Sequence, residues 1–195
     1  MLNRLMDEAR LAQRVRDGDH DAFDEIFRIY HARIYNYVYR LVENPQDAQD
    51  LTQESFLKAY RALRRGAQPD NLSAWLYRIS SNTCLDALRR HRLIRWQPLE
   101  KLLTVLNVAS TRSPEEQVLQ SEQRAERQSE IERVLAQLPP RYRMYLILRE
   151  REGFSYQEIA AATGDSLDTV KVTLYRARER ARQIGLKLRS GSEES

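Results

Sequence analysis

Residues 153–182 read GFSYQEIAAATGDSLDTVKVTLYRARERAR, and the punctuation of this stretch decides the fold. Ser155-x-x-Glu158 is a capping box: the hydroxyl accepts the N–H three residues on, and the carboxylate reaches back to the cap's own N–H. It opens a helix of about two turns, ending at Thr163. Gly164-Asp165-Ser166 is a tight turn, and Ser166 caps a further helix with Asp168 near its positive end. Helix, glycine turn and helix make a helix-turn-helix over about 155–182. Ile159, Val170 and Leu174 are expected to fill the crossing, with the small Ala160 allowing close approach. The outward side of the second helix then carries Lys171, Thr173, Arg176, Arg178, Arg180 and Arg182, with Tyr175 beside them. Such a helix can enter the major groove, its first residues at base edges and its later arginines on phosphates. A solvated basic helix would explain the arginines alone. The turn, the caps and Ala160 decide for DNA binding.

Outward from this motif, the same grammar recurs. Towards the N-terminus, residues 141–152 read as a helix through Tyr145, Leu146 and Leu148, stopped at Gly153. Before it, Ser113-Pro114-Glu115-Glu116 is another capping box, expected to open a long amphipathic helix with Val118, Leu119, Ile131, Val134, Leu135 and Leu138 inward, ended by Pro139-Pro140. Residues 93–113 lack a clean period and contain Pro98; they are read as a flexible connector. In the first half, Phe23, Ile26, Phe27, Tyr30, Ile34, Val38 and Leu41 recur at three- and four-residue steps and form one helical stripe. Asn44-Pro45 stops that helix and opens another, which runs to about Leu63. Arg64–Asn71 is a loop broken by Gly66 and Pro69. A third helix follows with Leu72, Trp75, Leu76, Ile79 and Leu88 inward. The expectation is an all-α chain of two small domains: 1–92, a linker at 93–113, a second domain at 114–186, and a disordered tail at 187–195.

The charges sort along the chain. Its 195 residues carry a net +4, yet residues 61–101 hold 9 basic against 3 acidic groups and residues 167–195 hold 7 against 4. The blocks before them, 1–60 and 102–166, are net acidic. Two basic blocks imply two anion-facing surfaces. Only 6 glycines and 6 prolines argue for helix, and against collagen-like or linker chains. The single cysteine, Cys84, excludes an internal disulfide framework and fits a small buried hydrophobe. His20, His31 and His91 have no ligand-spaced companions, so no metal is expected. No cofactor, small-molecule substrate or catalytic site stands out. No apolar run nears the ~18–20 residues of a membrane span, and a cytoplasmic protein is expected.

Three stretches together resemble one family. LREREGFSYQEIAAATGDSLDTVKVTLYRARER (148–180) is similar to the C-terminal DNA-binding domain of bacterial RNA polymerase sigma factors of the extracytoplasmic-function group. NPQDAQDLTQESFLKAYRAL (44–63) resembles that family's core-binding segment, and NLSAWLYRISSNTCLDALRRHR (71–92) its promoter-melting segment. The resemblance covers roughly residues 9–183. It implies docking of Asp47, Asp50, Leu51, Gln53, Glu54 and Phe56 on the clamp of the polymerase's largest subunit. Four acidic residues and no basic one between Glu43 and Glu54 suit a basic protein partner.

The resemblance further implies −10 promoter melting by the Arg64–Ser73 loop and the following helix, through Arg64, Arg65, Arg78, Asn82, Asp86, Arg89 and Arg90. Amides and carboxylates can read base edges there, and guanidinium groups can hold a single strand's phosphates. Trp75 shares a face with Leu72 and Leu76 and is read as core. For the −35 element it implies contacts from Thr169, Lys171, Val172, Thr173, Tyr175, Arg176, Arg178 and Arg180. Val172 and Thr173 depart from the small polar and basic residues frequent in the family, and Val172 can meet a thymine methyl instead. Control by an anti-sigma factor, often membrane-bound, is also implied. The competing reading is a free-standing helix-turn-helix regulator that binds DNA as a dimer without polymerase.

Overall fold

A computed structural model describes residues 2–95 and 130–190. Domain one comprises α1 (Leu2–Arg16), α2 (His20–Val42), α3 (Pro45–Arg64) and α4 (Leu72–Arg95). Domain two comprises the helical residues 130–136 (α5), α6 (Pro140–Leu146) continuing into a π-helical turn (Ile147–Arg151), α7 (Tyr156–Thr163) and α8 (Leu167–Ser190). The described residues contain no strand, as an all-α chain requires.

Local chemistry sets the joints. Asp19 caps α2 by accepting the N–H of Ala22 at 3.2 Å. Asn44 caps α3 by accepting that of Asp47 at 3.0 Å, with Pro45 at the first helical position. Asn71 caps α4 through Ala74 at 2.8 Å. Between α2 and α3 the chain turns on Glu43, whose φ of 59° is left-handed. A side chain pays for that conformation where glycine does not. The stripe on α2 buries Ile26, Tyr30, Ile34, Tyr37, Val38 and Leu41 against α3 and α4. Tyr37 meets Ser81 of α4 at 2.7 Å, so this fully buried phenol keeps a partner.

The helix-turn-helix forms as its sequence dictates. Both halves of the Ser155–Glu158 capping box are present, at 2.8 and 3.2 Å. Gly164 takes φ 78°, and Ser166 accepts the N–H of Thr169 at 3.2 Å. Ile159, Val170 and Leu174 are fully buried at the crossing.

Several expectations need correction. The helix α1 lies ahead of the first stripe read from the sequence. α4 continues to Arg95, three residues into the expected linker, and α8 continues to Ser190, through the first residues of the expected tail. Residues 147–151 form a π-helical turn rather than plain α-helix. Ile131 is exposed rather than inward, as is Phe27, although its ring still leans on Phe56 at 4.8 Å. Trp75, Ile79 and Leu88 are only half-buried. The Ser113 capping box, Val118, Leu119 and most of the 93–113 connector lie outside the described residues.

The two domains are in contact. α7 packs along α4, and α6 touches both α2 and α4. One buried cluster runs through both domains.

Candidate nucleic-acid interface

Two 24-residue helices, α4 and α8, carry the basic surfaces. On α8, Lys171, Val172, Tyr175, Arg176, Arg178 and Arg180 are exposed, Tyr175 by 69%, and Thr169 is half-buried. Thr173 is only 8% exposed and packs beside Val170 and Leu174, yet it still lines the cleft at the start of α8 together with Thr169, Val172 and Arg176. Most of its side chain therefore serves the core, with only an edge turned to the cleft. The i, i+3 step from Val170 to Thr173 signals this burial.

The cations on α8 have surface partners. Lys171 pairs with Asp168 at 3.2 Å, Arg178 with Glu150 at 2.8 Å and Arg182 with Glu179 at 3.3 Å. Exposed pairs of this kind are worth about 0–1 kcal/mol, so exchange for phosphate costs little. At the N-terminal end of α8, Arg141, Tyr142, Thr169, Val172 and Arg176 line a cleft of about 530 Å³. Arg141 is a residue the sequence reading missed. It binds both carboxylate oxygens of Asp165 at 3.0 Å, and Tyr145 donates its hydroxyl to the same carboxylate. These contacts fix the turn that aims α8. Burial, and then the bond to Asp165, push the Tyr145 phenol upward. No local sequence signal marks Arg141, because it enters from α6.

On α4, Arg78, Asn82, Asp86, Arg89 and Arg90 are all exposed. They follow helical steps on one side, and Arg89 pairs with Asp86 at 3.1 Å. Arg65 is exposed at the end of α3. Arg64 is engaged elsewhere: its Nη1 donates to the carbonyls of Val15 and Arg16 at 3.3 and 3.5 Å. It caps the carbonyl end of α1 while its side chain stays exposed.

On α3, Asp50 and Gln53 are exposed, while Asp47 and Glu54 are half-buried. Glu54 pairs with Lys58 at 2.7 Å. Leu51 and Phe56, expected to touch the polymerase, are 8% and 4% exposed and belong to the domain core. They lie on the stripe Ala48, Leu51, Thr52, Ser55, Phe56, Ala59 and Leu63, whose spacing already assigns them inward. Leu57, 53% exposed, is the large apolar side chain that α3 does present. Among the described residues no group of His, Cys, Asp and Glu is placed to hold a metal ion. No described helix is long and apolar enough to cross a membrane.

A helix-turn-helix domain joined to a second helical domain with its own basic helix defines a two-part DNA-binding protein. Comparison with known proteins narrows this. Sigma-70 region 2 matches residues 26–94, and Sigma-70 region 4 matches residues 128–180. The RNA polymerase sigma-H factor of Pseudomonas aeruginosa is 34% identical over 189 residues, covering 92% of this chain and 93% of that protein. The ECF RNA polymerase sigma factor SigE of Mycolicibacterium smegmatis is 33% identical over 174 residues, covering 89% of this chain and 65% of SigE. The structure of CnrH in complex with the cytosolic domain of CnrY superposes with a TM-score of 0.64 at 21% identity, covering 91% of this chain and 96% of that one, a likeness of fold. The chain belongs to the extracytoplasmic-function RNA polymerase sigma factors. It is a transcription-initiation factor whose family partners are core RNA polymerase and promoter DNA.

Proposed function

We propose a division of labour by domain. Domain one docks on the clamp of core polymerase through the acidic side of α3, with Asp47, Asp50, Gln53 and Glu54, and Leu57 as the apolar contact. It holds the melted −10 strand on α4 with Arg78, Asn82, Asp86, Arg89 and Arg90, assisted by Arg65. Domain two reads the −35 duplex through Thr169, Lys171, Val172, Tyr175 and Arg176, while Arg178 and Arg180 neutralise phosphates. The observation that carries this reading is the capped helix-turn-helix with an exposed row of cations on α8. Each step is binding rather than catalysis. The factor works in the cytoplasm under an anti-sigma partner, as the family membership supports.

The test is size-exclusion co-elution with purified core polymerase at ~0.3 M salt, where loose charge association is suppressed. Stoichiometric co-elution, followed by run-off transcription from a promoter library, is the expected result. Elution as a free dimer would overturn it in favour of a stand-alone regulator.

A further inference from the structure

The cleft at the start of α8 has two walls. Thr169, Val172, Thr173 and Arg176 form one, at the three- and four-residue steps that share a helical face. Arg141 and Tyr142 of α6 form the other. Asp168 also lines the cleft, but Lys171 pairs with that carboxylate at 3.2 Å, so the site stays cationic. Arg141 reaches it with its direction already set. Its Nη2 makes both bonds to Asp165, each 3.0 Å long, and Asp165 is itself held by the hydroxyl of the fully buried Tyr145. A guanidinium carries five N–H donors, so the edge beyond Nη2 can serve a second acceptor. The Arg141 side chain is 54% exposed, against 26% for Asp165.

Size decides what that acceptor is. The major groove is about 12 Å wide, and an α-helix with its side chains is about 10–12 Å across. One helix therefore fills the groove. With α8 inside it, a residue on the neighbouring α6 meets the sugar–phosphate rim rather than base edges. A guanidinium fork matches two oxygens of a phosphodiester. An ion pair as exposed as Arg141–Asp165 adds little to stability, whereas a guanidinium held in one direction loses less freedom when it grips an anion.

We propose that Arg141 is a phosphate clamp for the −35 duplex. It grips one backbone phosphate beside the bases that Thr169 and Val172 meet, and Asp165 and Tyr145 are its positioning residues. The inference rests on the −35 role proposed above for domain two, and adds to it a contact from outside the helix-turn-helix. A phosphate contact carries no sequence information but sets the register in which base contacts are made. Here the two are joined, because the side chain that holds the phosphate also holds Asp165, in the turn that aims α8. Arg176 on the facing wall and Arg141 then hold the DNA from two different helices.

The test uses the full chain and the duplex that the wild type selects from a randomised pool. Arg141→Ala should bind that duplex about tenfold more weakly. Its plot of log affinity against log salt should be shallower by about 0.9, the contribution of one phosphate. Arg141→Lys keeps the charge and should keep the slope, losing part of the affinity because an ammonium cannot fork. Asp165→Asn breaks the same ion pair but leaves the cation, so its slope should match the wild type while its affinity falls less than that of Arg141→Ala. If Arg141 only held the turn, Arg141→Ala and Asp165→Asn would weaken binding alike, with both slopes unchanged, and the clamp would be overturned. Single neutral methylphosphonates placed along the duplex locate the contact. One position should weaken binding by the wild type and leave Arg141→Ala unaffected; a scan without such a position would also overturn the clamp. Were Arg141→Ala to lose helicity by circular dichroism, Arg141→Gln, which keeps a long polar side chain, carries the same comparison. A wild type that selects a sequence but shows none of these differences defeats the clamp alone; one that selects no sequence defeats the −35 reading beneath it.

Discussion

α4 and α8 have the same length, and they are built differently. α4 is wrapped by α1, α2, α3, α6 and α7 and buries Leu72, Ala74, Leu76, Tyr77, Cys84 and Ala87, with Ser80, Ser81 and Thr83 inside as well. α8 leans on α6 and α7 and buries only Val170, Thr173, Leu174, Ala177 and Ile184. A helix anchored by one narrow stripe leaves most of its circumference for a ligand, which suits insertion into a groove. A helix enclosed on several sides is a platform. The buried hydroxyls of α4 show how such a platform stays satisfied: Ser80 and Ser81 donate to the carbonyls of Leu76 and Tyr77 at 2.9 and 2.6 Å.

The contrast can be broken experimentally, and the largest effect is expected where the packing is thinnest. Ile159→Ala removes a fully buried side chain at the crossing of α7 and α8. Chemical denaturation should show a loss of about 2–5 kcal/mol, with −35 duplex affinity falling in step. A loss below ~1 kcal/mol would mean that α8 is held by more than its stripe.

Next in size is the division of work along α8. Lys171→Ala should relax preference at one base by about 1–3 kcal/mol, whereas Arg180→Ala should lower affinity for all sequences alike and reduce the salt slope. A binding matrix over randomised −35 duplexes checks both, and the reverse pattern would exchange their roles.

A smaller effect concerns the platform. Burial, and then the bond to the Glu152 carboxylate, raise the Tyr77 phenol far above its ordinary value of 10.0. A phenol that stays neutral when folded stabilises the fold fully below its unfolded value and loses that contribution as pH climbs past it. The melting temperature should therefore fall above about pH 10, and less steeply in Tyr77→Phe. Equal slopes would mean that the phenol is solvated. The smallest effect is an absence. Burial, and then the charge of Glu54, push the Cys84 thiol up to about 12. Native protein at pH 7.5 should resist alkylation until denaturant exposes the thiol; prompt labelling would show α4 opening readily.

The helix-turn-helix was legible because its signals are local. A capping box, a glycine that must be left-handed and a serine cap lie within twelve residues, and each appears in the structure with the partner its spacing requires. The Asn44-Pro45 joint was legible for the same reason. Roles carried over residue by residue fared worse at Leu51 and Phe56, which the helical period already turns inward. Arg64 shows a different limit. Its partners are carbonyls of α1, 48 and 49 residues away, and no window of sequence holds both ends of that bond. Arg141 and Glu152 share this character, since each acquires its meaning only once two helices meet.

The wide turn at Ile147–Arg151 acts as a phase adjuster. The N–H of Glu152 returns to the carbonyl of Ile147, five residues back, at 3.1 Å. An α-helix advances about 100° per residue, so one residue accommodated in a wider loop shifts everything after it by that angle. Ile147 and Leu148 keep their inward bearing on one side of the adjustment, and Glu152 acquires an interdomain bearing on the other. A chain one residue shorter here would keep its domain-two interior and its cations, yet point Glu152 to a different compass heading. Angular register at a single turn thus connects the interior of one domain to its meeting with the other.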